Sequence, residues 1–116
     1  MSATRTTLIA MATLAVLLAG TSSAEAAKEL WEEHCASCHG ADGKAGTKTG
    51  RMLKVDDLTS PEVRAKFDRQ RMVDATKNGV PKEEGSKVLL MPGYSDKLTD
   101  EQIGQLIDYI ENDIGQ

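Results

Sequence analysis

Residues 35–39 are Cys35-Ala36-Ser37-Cys38-His39, and this stretch decides the fold that we expect of the chain. The C-x-x-C-H pattern is typical of covalent haem attachment. Two thiols three residues apart share one helical turn, so both can add to the two vinyl groups at one edge of a porphyrin. The adjacent His39 then lies beneath the ring, where its Nε2 can bind the iron. We therefore expect one c-type haem, attached through Cys35 and Cys38 and ligated by His39.

Three other chemistries use cysteines in a similar spacing. A thioredoxin-like redox pair follows a strand in an α/β pattern, and the flanking sequence shows no such pattern. A disulfide between residues three apart closes a very small loop and stabilises little. A zinc site would place His34, Cys35, Cys38 and His39 on about one helical turn, whereas zinc usually binds two separated pairs. Haem attachment is the interpretation that we prefer.

The first 26 residues have the pattern of an export signal. Arg5 is followed by the apolar run LIAMATLAVLLAG at residues 8–20, and Ala24-Glu25-Ala26 matches the A-x-A cleavage pattern. The apolar run has 13 residues, whereas a membrane span needs roughly 20. We therefore expect cleavage near Ala26, with Ala24 as the alternative, and a periplasmic product that is not stably inserted in the membrane.

The remaining residues, 27–116, are enough for one domain. A domain of this size buries a modest core, and the only aromatic residues are one tryptophan, two tyrosines and one phenylalanine. Two cysteines allow at most one disulfide, so a haem is a plausible filler of the core. The net charge is −4 and stays so without residues 1–26, because Arg5 and Glu25 cancel. No basic patch is present, which argues against nucleic acid as a partner.

Helical signals recur along the chain, and no stretch shows strand alternation. Residues 28–38 predict a short helix, and the four glycines of residues 40–50 predict an irregular loop. Ser60-Pro61-Glu62 predicts a helix start, followed by helix in one or two pieces to about residue 77. Asn78-Gly79 predicts its end, and residues 80–94 predict a long loop.

The last helix is the clearest element of the sequence. Thr99 and Gln102 form a capping box, and Leu98 and Ile103 have the spacing of a hydrophobic staple. The apolar side chains then recur on one helical face, at Ile103, Leu106, Ile107, Ile110 and Ile114. The expected fold is all-α, with about four helices and long loops wrapped around one haem.

The sixth position of the haem iron decides between a carrier and an enzyme. His34 precedes Cys35 directly and cannot easily reach the face opposite His39. Met72 lies in a helical run, where a core methionine is the ordinary interpretation. Met91 lies in a long loop and is followed by Pro92, which stiffens the backbone. We prefer Met91 as the second axial ligand; Met52 and an open sixth site are the alternatives.

The sequence resembles the class I bacterial cytochromes c, the small monohaem carriers that include the cytochrome c6, c553 and c555 types. Three segments in order carry the resemblance: WEEHCASCHG at residues 31–40, Met91-Pro92-Gly93-Tyr94, and TDEQIGQLIDYI at residues 99–110. The resemblance implies that Trp31 packs where the first and last helices cross, against Leu106 and Tyr109. Many members have a proline soon after the haem histidine. This loop has none, so the acceptor of the His39 Nδ1 proton is unassigned.

With His39 and Met91 as axial ligands, no position is free for a substrate. We therefore expect a one-electron carrier and not an enzyme, a monomer that meets a redox donor and an acceptor transiently under electrostatic steering. Lys44, Lys48, Arg51 and Lys54 are a candidate positive rim on an otherwise acidic protein. The alternatives are a haem sensor or minor peroxidase with a labile sixth ligand, and a dedicated electron-entry subunit of a periplasmic oxidoreductase.

Overall fold

The computed structural model describes residues 13–15, 20 and 22–116. Arg5 and most of the apolar run lie outside the described residues, so the export signal and its cleavage near Ala26 stay predictions. None of the helices in the described part of the chain has the length and apolar character needed to cross a membrane.

The described residues form six helices and one short antiparallel ribbon. In chain order these are α1 (Ser23–His34), α2 (Ala36–His39), α3 (Lys48–Leu53), α4 (Pro61–Lys66), α5 (Arg69–Asn78), β1 (Val80–Pro81), β2 (Leu89–Met91) and α6 (Asp100–Asn112). The predicted all-α class is confirmed. The expectation that residues 80–94 form only a loop is wrong, because Val80 pairs with Met91 and Pro81 with Leu89. Strands of two and three residues are too short to show alternation in a sequence.

The first predicted helix is longer and is broken. It begins at Ser23, because the Ser22 hydroxyl caps it by accepting from the Glu25 N–H at 3.2 Å. It ends at His34, and Cys35 (φ −117°, ψ −35°) separates it from α2. The predicted loop 40–50 is also shorter than expected. The Thr47 hydroxyl accepts from the Gly50 N–H at 2.9 Å and so starts α3 within it.

The middle of the chain folds as two helices, as one of the two sequence options allowed. Pro61 occupies the first turn of α4, as predicted, but the Ser60 hydroxyl donates to the Glu62 carboxylate instead of capping the backbone. Phe67 adopts an extended conformation between the helices, and the Asp68 carboxylate caps α5. Gly79, with φ +82°, ends α5 at the predicted place.

Helix α6 packs against α1 and α5 and supplies much of the core. Its predicted capping box is present. The buried cluster consists of Ala27, Trp31, Leu98, Ile103, Leu106, Tyr109 and Ile114. The predicted contact of Trp31 with α6 is confirmed, since its ring centroid lies 6.1 Å from that of Tyr109. Such tilted aromatic pairs contribute about 0.5–1.5 kcal/mol beyond the area that they bury.

Two arginines join the middle helices to the end of α6. The Arg64 guanidinium donates to the carbonyls of Ile110 at 2.6 Å and Glu111 at 3.1 Å. The Arg69 guanidinium pairs with Asp108 at 2.7 Å. Cationic donors at a helix C-terminus satisfy its unpaired carbonyls and oppose its negative dipole end. These contacts keep α4 and α5 beside α6, and residues of α5 and α6 line the cavity described below.

Candidate functional site

The C-x-x-C-H stretch lies on α2, a single helical turn that follows the break at Cys35. The Cys35 carbonyl accepts from the N–H groups of both Cys38 (3.3 Å) and His39 (3.0 Å), which draws the three side chains together. Both cysteines are half-buried free thiols. The helix ends at Gly40, whose φ of +79° is a conformation that a side chain would disfavour.

Helix α3 closes the loop that follows the motif. The Thr47 hydroxyl donates to the Ser37 carbonyl at 2.8 Å. Gly50 approaches so closely that a Cβ there would clash with the carbonyl oxygens of Cys38 and Ala45. The close approach of α3 therefore fixes the backbone of α2 on one side, and a larger residue at position 50 would push the two apart.

A cavity of about 480 Å³ adjoins the motif, within the range of small-molecule and cofactor pockets. Its lining includes Cys35, Cys38 and His39 from the motif, Met91 at the end of β2, and Pro92 and Tyr94 from the residues that follow. Apolar side chains from α5 and α6 complete much of the wall: Met72, Ala75, Leu106, Ile107 and Ile110. The structure thus brings together all four residues that the sequence predicted for the site.

Burial keeps the His39 imidazole neutral. Desolvation lowers its pKa below the usual 6.5. Its Nδ1 is buried and, among the described residues, has no hydrogen-bond partner. The carbonyl of the next residue, Gly40, accepts from the indole N–H of Trp31 at 2.9 Å and from the Gly43 N–H at 3.1 Å. A neutral imidazole is the form that binds a metal ion, so this histidine is prepared for ligation.

The two thiols do not have the properties of a redox pair. The pKa of the Cys35 thiol is raised to about 11, mainly because the thiol is desolvated and to a smaller extent because Cys38 lies nearby. Reactive C-x-x-C pairs have a lowered thiol pKa. Within the described part of the chain, no three His, Cys, Asp or Glu side chains converge to hold a metal ion. The thioredoxin-like and zinc interpretations therefore find no support in the structure.

Met91 ends β2, and its backbone lies against the end of α5. A Cβ on Gly79 would lie 2.5 Å from the Met91 carbonyl oxygen, and one on Gly93 would lie 2.7 Å from the Lys77 carbonyl oxygen. Only glycine permits such close backbone contacts. The two glycines therefore allow the backbone on both sides of Met91 to pack against the end of α5.

The other candidate ligands differ in position. Met52 on α3 is 69% exposed and does not line the cavity. Met72, which the sequence assigned to the ordinary core, is half-buried and does line it. Periodicity placed Met72 on a helix but could not show which face of α5 the cavity would occupy. His34 also lines the cavity, and its imidazole lies against the Tyr94 ring at 5.7 Å between centroids.

Two basic side chains line the cavity as well. Lys54 follows α3 in a left-handed conformation (φ +55°). Arg71 on α5 places its guanidinium carbon 4.9 Å from the centre of the Phe67 ring. The sequence grouped Lys54 with Lys44, Lys48 and Arg51 in a rim and missed Arg71. Asp56 lines the cavity as well, so its charged lining residues are one carboxylate and these two cations.

Comparison with known proteins gives a consistent result. Residues 22–110 match the family model described as cytochrome C oxidase, cbb3-type, subunit III. Among solved structures, the KustC0563 c-type cytochrome is 27% identical, with a TM-score of 0.62 over 72% of this chain and 92% of that one. A tyrosine-to-phenylalanine mutant of Kustc0563 is also 27% identical, with a TM-score of 0.63 over 74% and 95%. No curated protein matches the chain.

Proposed function

Because the chain belongs to the c-type cytochromes of the cbb3 subunit III family, we propose that it is a soluble periplasmic carrier of single electrons. As a member of this family it binds one c-type haem covalently and takes part in electron transfer. The proposal adds the axial ligands, the compartment and the role of a diffusing carrier.

The residues around the cavity fit such a haem. The cavity is largely apolar and contains two free thiols and a neutral buried imidazole. Cys35 and Cys38 would form the thioether bonds, and His39 and Met91 would bind the iron from the protein. Lys54 and Arg71 would offset the negative charge of the propionates. The bound haem iron supplies a reversible one-electron change.

The presence of His39 and Met91 in one cavity is the observation that supports a carrier best. Two protein ligands leave no coordination position for peroxide or oxygen, so we expect no enzymatic turnover. Thioether ligation and a dry pocket both raise the potential of a haem. The protein's part is to hold the imidazole neutral, exclude water and keep the two ligands in place through each change of charge.

A carrier must also meet its partners and leave them quickly. The net charge of −4 favours partners with basic docking surfaces, and steering by charge speeds such encounters. Lys44, Lys48 and Arg51 are exposed and follow the motif in the sequence. They would form a small positively charged contact surface on this otherwise acidic protein. We propose a monomer that forms small, short-lived interfaces with a donor and an acceptor.

An absorption spectrum of the mature holoprotein, oxidised and reduced, tests this function. We expect c-type bands that survive acid–acetone extraction, together with the weak red iron–sulfur band of the oxidised form. Covalent haem without the sulfur band would point to a sensor or minor peroxidase. Rapid binding of cyanide or carbon monoxide at neutral pH would contradict a closed sixth site.

The description of the matching family favours a second candidate, a subunit that delivers electrons to one oxidoreductase. Fractionation of the native organism separates the two. A carrier would leave the periplasm on osmotic shock and elute at the size of the free chain. A dedicated subunit would elute with a larger complex and dissociate from it only under denaturing conditions.

A further inference from the structure

The hydroxyl of Tyr94 donates a hydrogen bond of 3.0 Å to the carbonyl of His34, 60 residues away in the chain. His34 is the last residue of α1 and lies five residues before His39. Tyr94 lies three residues after Met91. The bond therefore joins the two chain segments that carry the proposed axial ligands.

The His34 carbonyl is available because the helix breaks at Cys35. In an unbroken helix this carbonyl would accept from the N–H four residues later. Here that N–H, on Cys38, donates to the Cys35 carbonyl at 3.3 Å. A helix-terminal carbonyl needs another partner, and the Tyr94 hydroxyl provides one. The same break that groups the motif side chains thus creates the acceptor for Tyr94.

The backbone of Tyr94 is fixed at its other end. Its N–H donates to the Thr76 carbonyl at 2.8 Å, and the next N–H, on Ser95, donates to Lys77 at 3.2 Å. These bonds attach the segment to α5. Among the described residues, no other hydrogen bond joins residues 91–95 to residues 31–40. Within the described part of the chain, the tyrosine hydroxyl is thus the one hydrogen-bonded link from the Met91 segment to the end of α1, directly before the motif.

We propose that Tyr94 is a positioning residue that holds Met91 at the haem iron by linking its segment to the end of α1. The inference rests on the proposed His39 and Met91 ligation and deepens it. Pro92 and Gly93 limit the path of the backbone, and the hydroxyl sets its distance from α2. Without that link the segment would open more readily, and the sulfur would be displaced more easily by an external ligand.

Imidazole binding to the ferric holoprotein measures this opening, because imidazole must displace the sulfur. In Tyr94→Phe the ring keeps its packing and only the hydroxyl is lost. We expect imidazole to bind about five- to tenfold more tightly, the ratio that corresponds to one typical net hydrogen bond. The disappearance of the red iron–sulfur band reports the binding directly.

Tyr109→Phe is the matched control. Among the described residues its hydroxyl makes no hydrogen bond, and its ring packs on Trp31 and, unlike that of Tyr94, does not line the cavity. We expect this variant to bind imidazole as the wild type does. Denaturant unfolding of both variants separates general destabilisation from local opening. A purely structural Tyr94 would lower stability and leave the imidazole affinity unchanged.

The outcomes distinguish this inference from the function on which it rests. A wild-type protein without the iron–sulfur band would contradict Met91 ligation and, with it, the role of Tyr94. A wild-type band combined with equal imidazole affinity in wild type and Tyr94→Phe would overturn the role of Tyr94 alone. Equal tightening in both tyrosine variants would overturn it as well.

Discussion

The indole Nε1 of Trp31 donates a buried hydrogen bond of 2.9 Å to the carbonyl of Gly40. The two residues lie on either side of the haem-attachment motif, so the bond closes the polypeptide around it. The same indole ring lies 5.5 Å from the His39 imidazole, measured between centroids. Trp31 thus has two roles: it fills the crossing of α1 with α6 and fixes the end of α2.

Replacing Trp31 by Phe keeps an aromatic ring and removes the indole donor. The Gly40 carbonyl then keeps only the N–H of Gly43, at 3.1 Å. The loss of one hydrogen bond at this carbonyl costs about 0.5–1.5 kcal/mol of unfolding free energy. Denaturant unfolding of the holoprotein measures the loss. Tyr109→Phe, which removes a hydroxyl from the same cluster, should change stability by less than about 0.5 kcal/mol. Equal losses in the two variants would contradict the assigned role of the bond.

Replacing Cys38 by Ala removes one of the two thioether bonds. We expect little folded holoprotein, because the haem would fill much of the cavity that residues of α2, α5 and α6 line. The yield of haem that resists acid–acetone extraction measures attachment. Ser37→Ala, at the exposed neighbouring position, should load haem normally. Recovery of stable, helical apoprotein from Cys38→Ala would show that the haem is not needed for the core.

Replacing each methionine in turn identifies the second axial ligand. Met91→Ala should still attach haem but lose the iron–sulfur band and lower the potential, because the weak thioether donor is gone. Met72→Ala should keep the band and lose about 2 kcal/mol of stability from the cavity left behind. Met52→Ala, at a largely exposed position, should change neither. Loss of the band in Met72→Ala but not in Met91→Ala would reverse the assignment.

Replacing Gly93 by Ala tests the close contact between the Met91 segment and α5. The new Cβ would lie 2.7 Å from the Lys77 carbonyl oxygen, so the backbone must shift. We expect a loss of about 1–3 kcal/mol and a weaker iron–sulfur band. Gly46→Ala is the control, because a Cβ there meets nothing within 4 Å. It should be neutral or raise stability by about 0.4–1 kcal/mol. Similar effects at both positions would argue against the contact.

Much of the site could be predicted from local sequence because its chemistry is local. Two thiols and an imidazole within five residues identify the attachment point whatever surrounds them. The capping box of Thr99 and Gln102 likewise depends on residues three apart, and the structure confirms it. The helical face of α6 followed from its period, and its contact with Trp31 followed from the family resemblance.

Other features could not be predicted, because their partners are distant in the chain. The helix breaks at Cys35 because the Cys38 N–H donates to the Cys35 carbonyl instead of the His34 carbonyl. The Tyr94 hydroxyl then donates to the His34 carbonyl that this break leaves free. The place of Met72 on the cavity depends on how α5 packs against α6. The acceptor for the His39 Nδ1 proton, which the sequence left unassigned, is not found among the described residues either, where this atom has no hydrogen-bond partner.

The sequence by itself therefore determined the cofactor chemistry, the helical class and the ends of several helices, since each depends on neighbouring residues and backbone preferences. The tertiary structure decided which methionines reach the cavity, which side chains carry its positive charge, and how the Met91 segment is joined to the end of α1. The physical reason is that these relationships need two segments, such as those of His34 and Tyr94, to meet across 60 residues. Only the packed core determines where such segments meet.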